Sequence, residues 1–463
     1  MSDSSRLKAR DRIGQLVDEG SFVELDKYLE RSNAVLGYKD VSVQGEGVVS
    51  GWATIDGRPV YVFAEDKDAL KGSMSAAHGA KITKTMDMAA KNGVPVIGIW
   101  DSEGARVQEG AAVLNAYALI AKKLTDLSGV VPTISVAAGP MIGAAAVFSA
   151  LSDFTVAIEN ISEIGVYGPM VLASSAEKPV DGEALIGAKV SESEAANAQF
   201  ACATEAEAIE TVKRLLMFLP SNNLEESQYI PTEDPANRAV TADAKDMAAF
   251  LKDVADDGEF LEVGAGYADD MITGFGFMNG FATGFIANKA DGRITPRAAK
   301  KAARFMRFLD AYDMPVVTVI DNAGVPVCLP CAQDNQVRDL AQMVFAFANA
   351  GCPMVSLITG KAIGEGYAAM ANKGLGADIV YAFPTAEISA VEKETGAMIL
   401  FDNKSKADEF AAQFSTAEAA AKQGVVDDII EPAETRAKLI GALDMASNKR
   451  EQKLPKKHGV MPL

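Results

Sequence analysis

Apolar residues along this chain follow two spacings, one typical of helices and one typical of strands. Segments with apolar residues on one helical face are each followed by a short continuous apolar run and, further along, by a second such run. Strands that alternate with helices in this way predict parallel βαβ units with right-handed connections, and therefore an α/β fold. The predicted helices lie at 81–91 and 297–312, and the predicted strands at 94–99, 133–137, 316–320 and 354–358.

The chain repeats this pattern. The segment VPVIGIWDSEGARVQEG at 94–110 returns about 220 positions later as MPVVTVIDNAGVPVCLP at 314–330. Four further blocks recur in the same order, including PTISVAAGPMIG and PMVSLITGKAIG. A collinear repeat of this length predicts duplication of a whole domain rather than a stacked array. We therefore predict two domains, at 1–230 and 231–463.

Composition narrows the function classes. The 463 residues carry a formal charge of -19, which disfavours binding to nucleic acid and to anionic membranes. The polar N-terminus has no apolar region of the kind found in secretory signals, and four cysteines are too few for a disulfide framework, so we expect a cytoplasmic protein. Residues 127–152 contain no charge, but their prolines and glycines predict a buried strand followed by a helix rather than a membrane span.

Glycine-bearing turns follow the predicted strands of both repeats. Turns that lead into helices leave backbone N–H groups unpaired, and such groups stabilise anions and developing oxyanions. Two turns after neighbouring strands could direct two donors at one carbonyl oxygen, and the duplication would supply two such oxyanion holes. The other interpretation is that these glycines serve only as caps and tight crossings. Four turns in register, which include 139–143 and 360–364, favour the functional interpretation.

Other kinds of chemistry have weaker signals. The two histidines are His78 and His458, and no GxSxG, P-loop or strand-linked GxGxxG motif occurs. The CLPC segment has no second cysteine pair for zinc, so we predict incidental thiols and no metal site. Glu103 and Glu365 lie in the turns and would be acid/base candidates if buried, although such carboxylates are more often solvated or paired.

The motifs together resemble a known family, the carboxyltransferase components of biotin-dependent acyl-CoA carboxylases. This group includes propionyl-CoA carboxylase beta subunits and the alpha subunits of sodium-pumping methylmalonyl-CoA and glutaconyl-CoA decarboxylases. The resemblance extends over nearly the whole chain. It rests on LKARDRIGQLVDEGSFVELD, GSMSAAHGAKITKTMDMA, DSEGARVQEG, AAGPMIGAA, KAARFMRFLDAYDMPVVTVID, IVYAFPTAEISAVEKETGAMILF and VDDIIEPAETRAKL.

The resemblance implies two tandem crotonase-like domains, with acyl-CoA bound by the N-terminal domain and carboxybiotin by the C-terminal domain. Transferred motif by motif, one oxyanion hole falls on Gly143 and Ala144 and the other on Glu365 and Gly366 after Gly364. The turns alongside, together with a position linked to acyl-chain choice in the family, give the substrate-binding set Gly104, Ala105, Gly324, Val325 and Ala368.

The resemblance also implies partners. Biotin would arrive as carboxybiotin on a separate biotin carboxyl carrier protein, and a biotin carboxylase or a membrane decarboxylase beta subunit would complete the system. A coenzyme A thioester, such as propionyl-, methylmalonyl-, acetyl- or malonyl-CoA, would be the other substrate. The active site would lie at the interface of a homodimer, alone or within a trimer of dimers.

The chain departs from the family at the turns. DSEGAR stands for the family's DSGGAR and AIGEGYA for AYGGAYD, and Ala144 and Glu365 replace glycines. Two alternatives therefore stay open. One is a biotin-independent crotonase-type hydratase or decarboxylase that uses Glu103 or Glu365 as acid/base. The other is a catalytically silent structural subunit of a decarboxylase complex.

Overall fold

The computed structural model describes residues 6–30, 43–333, 335–451 and 453–462, without the side chains of 331 and 332. The chain divides into two compact units, Met1–Glu225 and Glu226–Leu463. Each unit is built around one mostly parallel sheet with helices packed against it, and each is described below by itself.

The sheet of the first unit has the strand order β1-β2-β3-β4-β5-β6-β8, and β7 pairs with the far end of β5. Strands β1 to β3 are antiparallel, and the pairs from β3–β4 onwards are parallel. The strands are β1 (Val23–Leu25), β2 (Val48–Ile55), β3 (Arg58–Glu65), β4 (Val96–Ser102), β5 (Thr133–Ile142), β6 (Phe154–Ile158), β7 (Glu163–Gly165) and β8 (Phe200–Cys202).

Helices cover this sheet. Apolar side chains of α2 and α3 pack with β3, β4 and β5 into a core around Phe63, Trp100 and Phe148, whose rings meet edge-on or tilted. The helices are α1 (Ala9–Leu16), α2 (Ala76–Asn92), α3 (Ala112–Leu127), α4 (Ala146–Leu151), α5 (Pro169–Ala176), α6 (Gly182–Ile186), α7 (Ala188–Ser193) and α8 (Glu205–Phe218).

The sheet of the second unit has the order β16-β14-β13-β12-β11-β10-β9, and β15 pairs with the far end of β13. The strands are β9 (Phe260–Glu262), β10 (Met271–Met278), β11 (Phe281–Asn288), β12 (Val316–Asn322), β13 (Met354–Ile363), β14 (Ile379–Ala382), β15 (Glu387–Ser389) and β16 (Asp428–Ile429). The helices are α9 (Met247–Val254), α10 (Pro296–Ala311), α11 (Leu329–Gln333), α12 (Gln336–Asn349), α13 (Gly364–Ala369), α14 (Lys393–Phe401), α15 (Ala407–Phe414), α16 (Ala417–Lys422) and α17 (Thr435–Ala446).

The two sheets correspond strand for strand, which confirms the predicted α/β duplication. Small features recur as well as large ones. Asp153 accepts the Thr133 N–H at 2.8 Å in the first unit, and Asp378 accepts the Met354 N–H at the same distance in the second. Likewise, Asp18 and Asp256 each accept two backbone N–H groups of the hairpin turn between the antiparallel strands. The repeat in sequence is thus a repeat in structure.

The strands that precede the sites are longer than predicted. β5 and β13 extend through Gly139 and Gly360, which were predicted to lie in turns. In both units the register with the neighbouring strand shifts there, between Trp100 and Ser102 and between Ile320 and Asn322. Such an irregularity lets a strand continue in a new direction, so these glycines lie at a kink within a strand and not at the start of a helix.

The uncharged segment 127–152 forms the end of α3, then β5 and α4, as predicted. Its strand lies at the centre of the sheet, which explains the continuous apolar run. Among the described residues, no helix combines the length and the apolar character needed to cross a membrane.

Candidate active site

In the first unit, Gly104 and Ala105 form a turn directly after β4. Gly104 has φ 118°, a conformation that L side chains rarely adopt, and its N–H donates to Oγ of Ser102 at 3.2 Å. A short parallel bridge holds the turn, because the Met74 N–H donates to Gly104 O at 2.9 Å and the Arg106 N–H to Met74 O at 2.8 Å. The N–H of exposed Ala105 takes no part in this bridge.

The second turn of this unit begins where β5 ends. Gly143 has φ 77°, and Ala144 is exposed at the start of the helical segment that leads into α4. The two turns are neighbours, because a Cβ placed on Gly104 would lie 3.9 Å from the carbonyl oxygen of Ile142. The predicted residues Gly104, Ala105, Gly143 and Ala144 are thus brought together at the carboxyl ends of adjacent strands.

The second unit repeats this arrangement. Gly324 has φ 97°, its N–H donates to Oδ1 of Asn322 at 2.7 Å, and its carbonyl accepts from the Ile294 N–H at 3.0 Å. A Cβ on Gly324 would lie 3.7 Å from the carbonyl oxygen of Ile363, the residue before the second turn. Val325, which follows Gly324, is half-buried.

The second turn of this unit opens α13. Gly364 has φ 54°, and a Cβ on buried Gly366 would come within 2.8 Å of Cα of Gly324, so the close approach of the two turns requires glycine there. Glu365 and Ala368 are both exposed on this helix. The Ala368 carbonyl accepts from the side chain of Asn372 at 3.3 Å.

These contacts refine the roles of the predicted residues. The N–H groups of Gly104 and Gly324 are bonded within their own turns, so these glycines shape the turns and are not ligand donors in this conformation. Ser102 and Asn322, which accept those bonds, were missed by sequence reasoning. The repeat carried the signal, since each follows the aspartate at the end of the repeated strand and precedes the glycine by two positions.

Below the turns of the first unit lies a buried ionic cluster. Asp101 accepts from Arg6 at 2.9 Å and from Arg12 at 2.8 Å, and both arginines also donate to the carbonyl of Ala138. Arg12 additionally pairs with Glu205 at 3.0 Å. Burial raises the pKa of the Asp101 carboxyl, while the two arginines act in the opposite direction. A Cβ on Gly139 would lie 1.9 Å from Oδ1 of Asp101, so only glycine lets β5 pass here.

The second unit has the same crossing with different bonds. Asp321 accepts the backbone N–H of Lys361 at 2.8 Å, and a Cβ on Gly360 would lie 2.4 Å from the Asp321 carboxylate. The residue that corresponds to Lys361 in the first unit is Pro140, which has no N–H to donate.

The two carboxylates considered as acid/base candidates are both exposed rather than buried. Glu103 is exposed and pairs with Lys71 at 2.9 Å, while Glu365 is exposed on α13. Burial, together with Glu183 and Glu103, raises the pKa of Glu163. His78 is fully buried, with Nδ1 3.1 Å from Glu46 O and Nε2 3.2 Å from Oε1 of Glu65.

A cleft of about 310 Å³ opens beside the turns of the second unit. Its wall includes Ala323 and Ile363, the residues just before the two turns, and its rim is strongly charged. Lys361 pairs with Asp291 at 2.7 Å, and the hydrogen bond to Asp291 raises the lysine pKa. The remaining charged lining residues are Arg293, Glu387, Glu392, Lys393 and Glu394.

Of the cysteines, Cys202 and Cys352 are buried free thiols. Cys328 is disulfide-bonded and is therefore not the incidental thiol predicted for CLPC.

The sequence of this chain is similar to those of known proteins of one family. Residues 2–461 match the model of the carboxyl transferase domain family. The alpha subunit of methylmalonyl-CoA decarboxylase from Veillonella parvula is 39% identical, over 99% of this chain and 93% of its own length. The propionyl-CoA carboxylase beta chain of Saccharopolyspora erythraea is also 39% identical, over 98% of this chain and 90% of its own length.

Among solved structures, the chain is similar to the transcarboxylase 12S subunit, a hexamer determined with methylmalonyl-coenzyme A and methylmalonic acid bound. The TM-score is 0.94 and the identity 33%, over 99% of this chain and 93% of that one. These matches confirm the family resemblance and the crotonase-like fold and do not favour a biotin-independent or silent alternative. The chain belongs to the carboxyl transferase domain family.

Proposed function

We propose that this protein is the carboxyltransferase subunit of a biotin-dependent system and moves a carboxyl group between biotin and a short acyl-CoA of the propionyl/methylmalonyl type. The observation that carries this proposal is the presence of one pair of glycine turns at the carboxyl ends of adjacent strands in each unit, in a chain that matches the family from residue 2 to 461. Two substrates that each develop negative charge on an oxygen need two such sites.

The first unit would bind the acyl-CoA. The N–H groups of Ala105 and of the Gly143–Ala144 turn would stabilise the thioester oxygen as it becomes an enolate. Backbone donors held in a fixed turn need no reorganisation when charge develops, and the loss of one such donor costs about 100- to 1000-fold in kcat. The interpretation that Glu103 acts as the acid/base is not needed, because this carboxylate is exposed and paired with Lys71.

The second unit would hold biotin. The cleft beside Ala323 and Ile363 has the volume for a small bicyclic ring, and Lys361 on its rim could meet the negative charge of a carboxylated ligand. The ureido oxygen would accept hydrogen bonds from the N–H groups of Glu365, Gly366 and Val325. Carboxybiotin would supply the carboxyl group, and the ring nitrogen freed when its bond to that group breaks would accept the α-proton of the acyl-CoA. The residues of this chain therefore bind, orient and stabilise charge.

The proposed partners follow from the assignment of acyl-CoA to the first unit and of biotin to the second. Biotin would be presented by a separate carrier protein, loaded by a biotin carboxylase or unloaded by a membrane decarboxylase subunit. Relatives of this chain are named as subunits of both kinds of enzyme. We further propose a homodimer, or a trimer of dimers, in which the acyl-CoA domain of one subunit, about 1–230, faces the biotin domain, about 231–463, of its mate.

The direct test is turnover with free biotin. The purified protein should convert methylmalonyl-CoA to propionyl-CoA only when biotin is added, as measured by chromatography of the CoA esters. Malonyl-CoA tested in parallel would report acyl-chain preference. Absence of biotin-dependent loss of the carboxyl group from any acyl-CoA would contradict the proposal.

A pair of substitutions at one position separates backbone from side-chain chemistry. Glu365→Pro removes an N–H in the first turn of α13, where N–H groups have no acceptor within the helix, and should lower kcat about 100-fold or more. Glu365→Gln keeps the N–H and should stay within about threefold of the parent. Equal losses in both variants would assign the role to the carboxylate instead.

A further inference from the structure

The two units hold their first turn in different ways. In the first unit, three backbone hydrogen bonds tie the turn to the loop before α2, namely Glu103 N–H to Lys71 O at 3.3 Å, Met74 N–H to Gly104 O at 2.9 Å, and Arg106 N–H to Met74 O at 2.8 Å. In the second unit, the Ile294 N–H donates to Gly324 O at 3.0 Å, which matches the second bond. The Ala323 N–H donates to Gly292 O at 2.8 Å, one position later in the loop than the acceptor of the first bond. The third bond cannot form there, because Pro326 has no N–H.

In the second unit a side-chain hydrogen bond from Arg293 replaces this missing backbone bond. Nη1 of Arg293 donates to the carbonyl oxygen of Val325 at 3.1 Å, one residue before Pro326. The other arm, Nη2, donates to Oε1 of Glu392, the residue at the N-cap position of α14. Arg293 therefore joins the turn to the opposite wall of the cleft, which Arg293 and Glu392 both line.

In the first unit an arginine connects the same two segments, but it lies on the turn instead of on the loop. The residue that corresponds to Arg293 there is Ser73, whose carbonyl accepts from Nη2 of Arg106 at 3.3 Å, and Arg106 also pairs with Glu46 at 3.1 Å. In that unit the arginine lies on the turn and reaches the loop, whereas in the second unit it lies on the loop and reaches the turn. The same two segments are cross-linked by a guanidinium group in both units, from opposite sides.

We propose that Arg293 is a positioning residue that fixes the direction of the Val325 peptide and of the cleft wall in the second unit. This inference rests on the proposed function, because it concerns the biotin half of the site. The Val325 carbonyl and the Val325 N–H belong to neighbouring peptide groups, so rotation of the turn would move the donor out of line. Arg293 acts through Val325 and Glu392 and need not touch the ligand.

The test is a comparison of Arg293→Met with Arg338→Met in the full-length protein. Arg338 is a matched control, because it is also 39% exposed and also pairs with a carboxylate, that of Asp339. Arg293→Met should lower kcat/KM for free biotin about 10- to 100-fold and leave the KM for methylmalonyl-CoA within twofold. Arg293→Lys should recover part of the loss, because an ammonium group can donate to one partner but not to two in the same geometry.

A second-site change tests the mechanism. Pro326→Ala restores an N–H at the position where the first unit has Arg106, and Ile294 O is the acceptor that corresponds to Met74 O. Arg293→Met/Pro326→Ala should therefore regain at least a third of the lost kcat/KM for biotin. Equal losses for biotin and acyl-CoA, or a change of less than twofold, would overturn the role of Arg293.

Hydrogen exchange followed by mass spectrometry separates this inference from the proposed function. The peptide that spans Ala323 to Val327 should exchange at least about fivefold faster in Arg293→Met than in the parent, and Pro326→Ala should reverse this. If the parent has no biotin-dependent turnover, the proposed function fails while this readout still decides the positioning role. Unchanged exchange in Arg293→Met would overturn the positioning role, whatever the activity.

Discussion

The strand crossing beneath the paired turns is built twice in this molecule, and the two versions differ in what stabilises them. In the second unit the backbone N–H of Lys361 donates to Asp321. In the first unit the corresponding residue is Pro140, and two arginines from the N-terminal segment bind Asp101 and the Ala138 carbonyl instead. The missing backbone donor is replaced by side chains 89 and 95 residues away along the chain. The backbone path persists although the bonds that hold it are different.

A second difference lies behind the same strand. The first unit buries Glu65 beside His78, with Oε2 of Glu65 accepting the Asp101 N–H at 2.8 Å. The corresponding residues of the second unit are Asn288 and Ala298, which are buried and uncharged. At this strand the first unit therefore depends on compensated buried charges, and the second on neutral groups. We expect substitutions at matched positions to cost more in the first unit.

The largest effect should come from Arg12→Met. This substitution leaves Asp101, which is 2% exposed, with Arg6 as its remaining arginine partner, and breaking a buried ion pair costs about 3–5 kcal/mol. The chain has two tryptophans, Trp52 and Trp100, both in the first unit, so urea unfolding followed by tryptophan fluorescence reports on that unit. Asp321→Asn should cost only about 1 kcal/mol, because the amide oxygen still accepts the Lys361 N–H. Hydrogen exchange of peptides from the second unit measures the stability cost of Asp321→Asn.

Addition of Asp101→Asn to Arg12→Met provides the control. Removal of the buried charge together with its partner should restore part of the stability, so the double variant should cost less than the sum of the single variants. Additive costs would mean that the ion pair does not hold the crossing.

The next largest effect should come from His78→Ala. This substitution opens a cavity and leaves the Glu65 carboxylate without its neighbour, and we expect a loss of about 2–4 kcal/mol in the free energy of unfolding. Glu65→Gln/His78→Ala imitates the uncharged residues at these two positions of the second unit while keeping an acceptor for the Asp101 N–H. It should be more stable than His78→Ala by tryptophan-monitored unfolding. The opposite order would contradict the charge argument.

A smaller effect concerns pH. Burial lowers the pKa of Lys81 to about 8 in the folded chain, from 10.5 for an exposed lysine. Between these values the unfolded chain binds a proton that the folded chain does not, so the free energy of unfolding gains at most about 1.4 kcal/mol per pH unit as the pH rises. Unfolding from pH 8 to 10 should therefore have a shallower pH dependence in Lys81→Met. Parallel curves for the parent and Lys81→Met would contradict the prediction.

The smallest effect should come from Lys71→Ala. Lys71 and Glu103 form a pair whose side chains are 74% and 56% exposed, and such pairs contribute about 0.5 kcal/mol or less in water. The second unit has Asp291 and Ala323 at these positions and forms its turn without this pair. Urea unfolding should therefore barely distinguish Lys71→Ala from the parent, and a loss above about 1 kcal/mol would show that the pair supports the turn.

Much of the architecture could be predicted from the sequence because it depends on local patterns and on the repeat. Apolar periodicity gave the type of each predicted element, and the collinear blocks gave two α/β units. The ends of the strands could not be predicted, because a glycine within an apolar run is compatible with a turn and with a kinked strand alike. Contact with Asp101 and Asp321 decides between them at Gly139 and Gly360.

The features of the candidate site also divide into those that the sequence predicts and those that only the structure shows. The sequence by itself determined the family, the duplication and the glycine turns, because these are properties of residue order. Only the tertiary structure decided which N–H groups the turns use internally, which arginines hold Asp101, and how Arg293 replaces a bond that Pro326 cannot make. These interactions join residues far apart in the chain, and their existence depends on distances of about 3 Å that residue order does not encode.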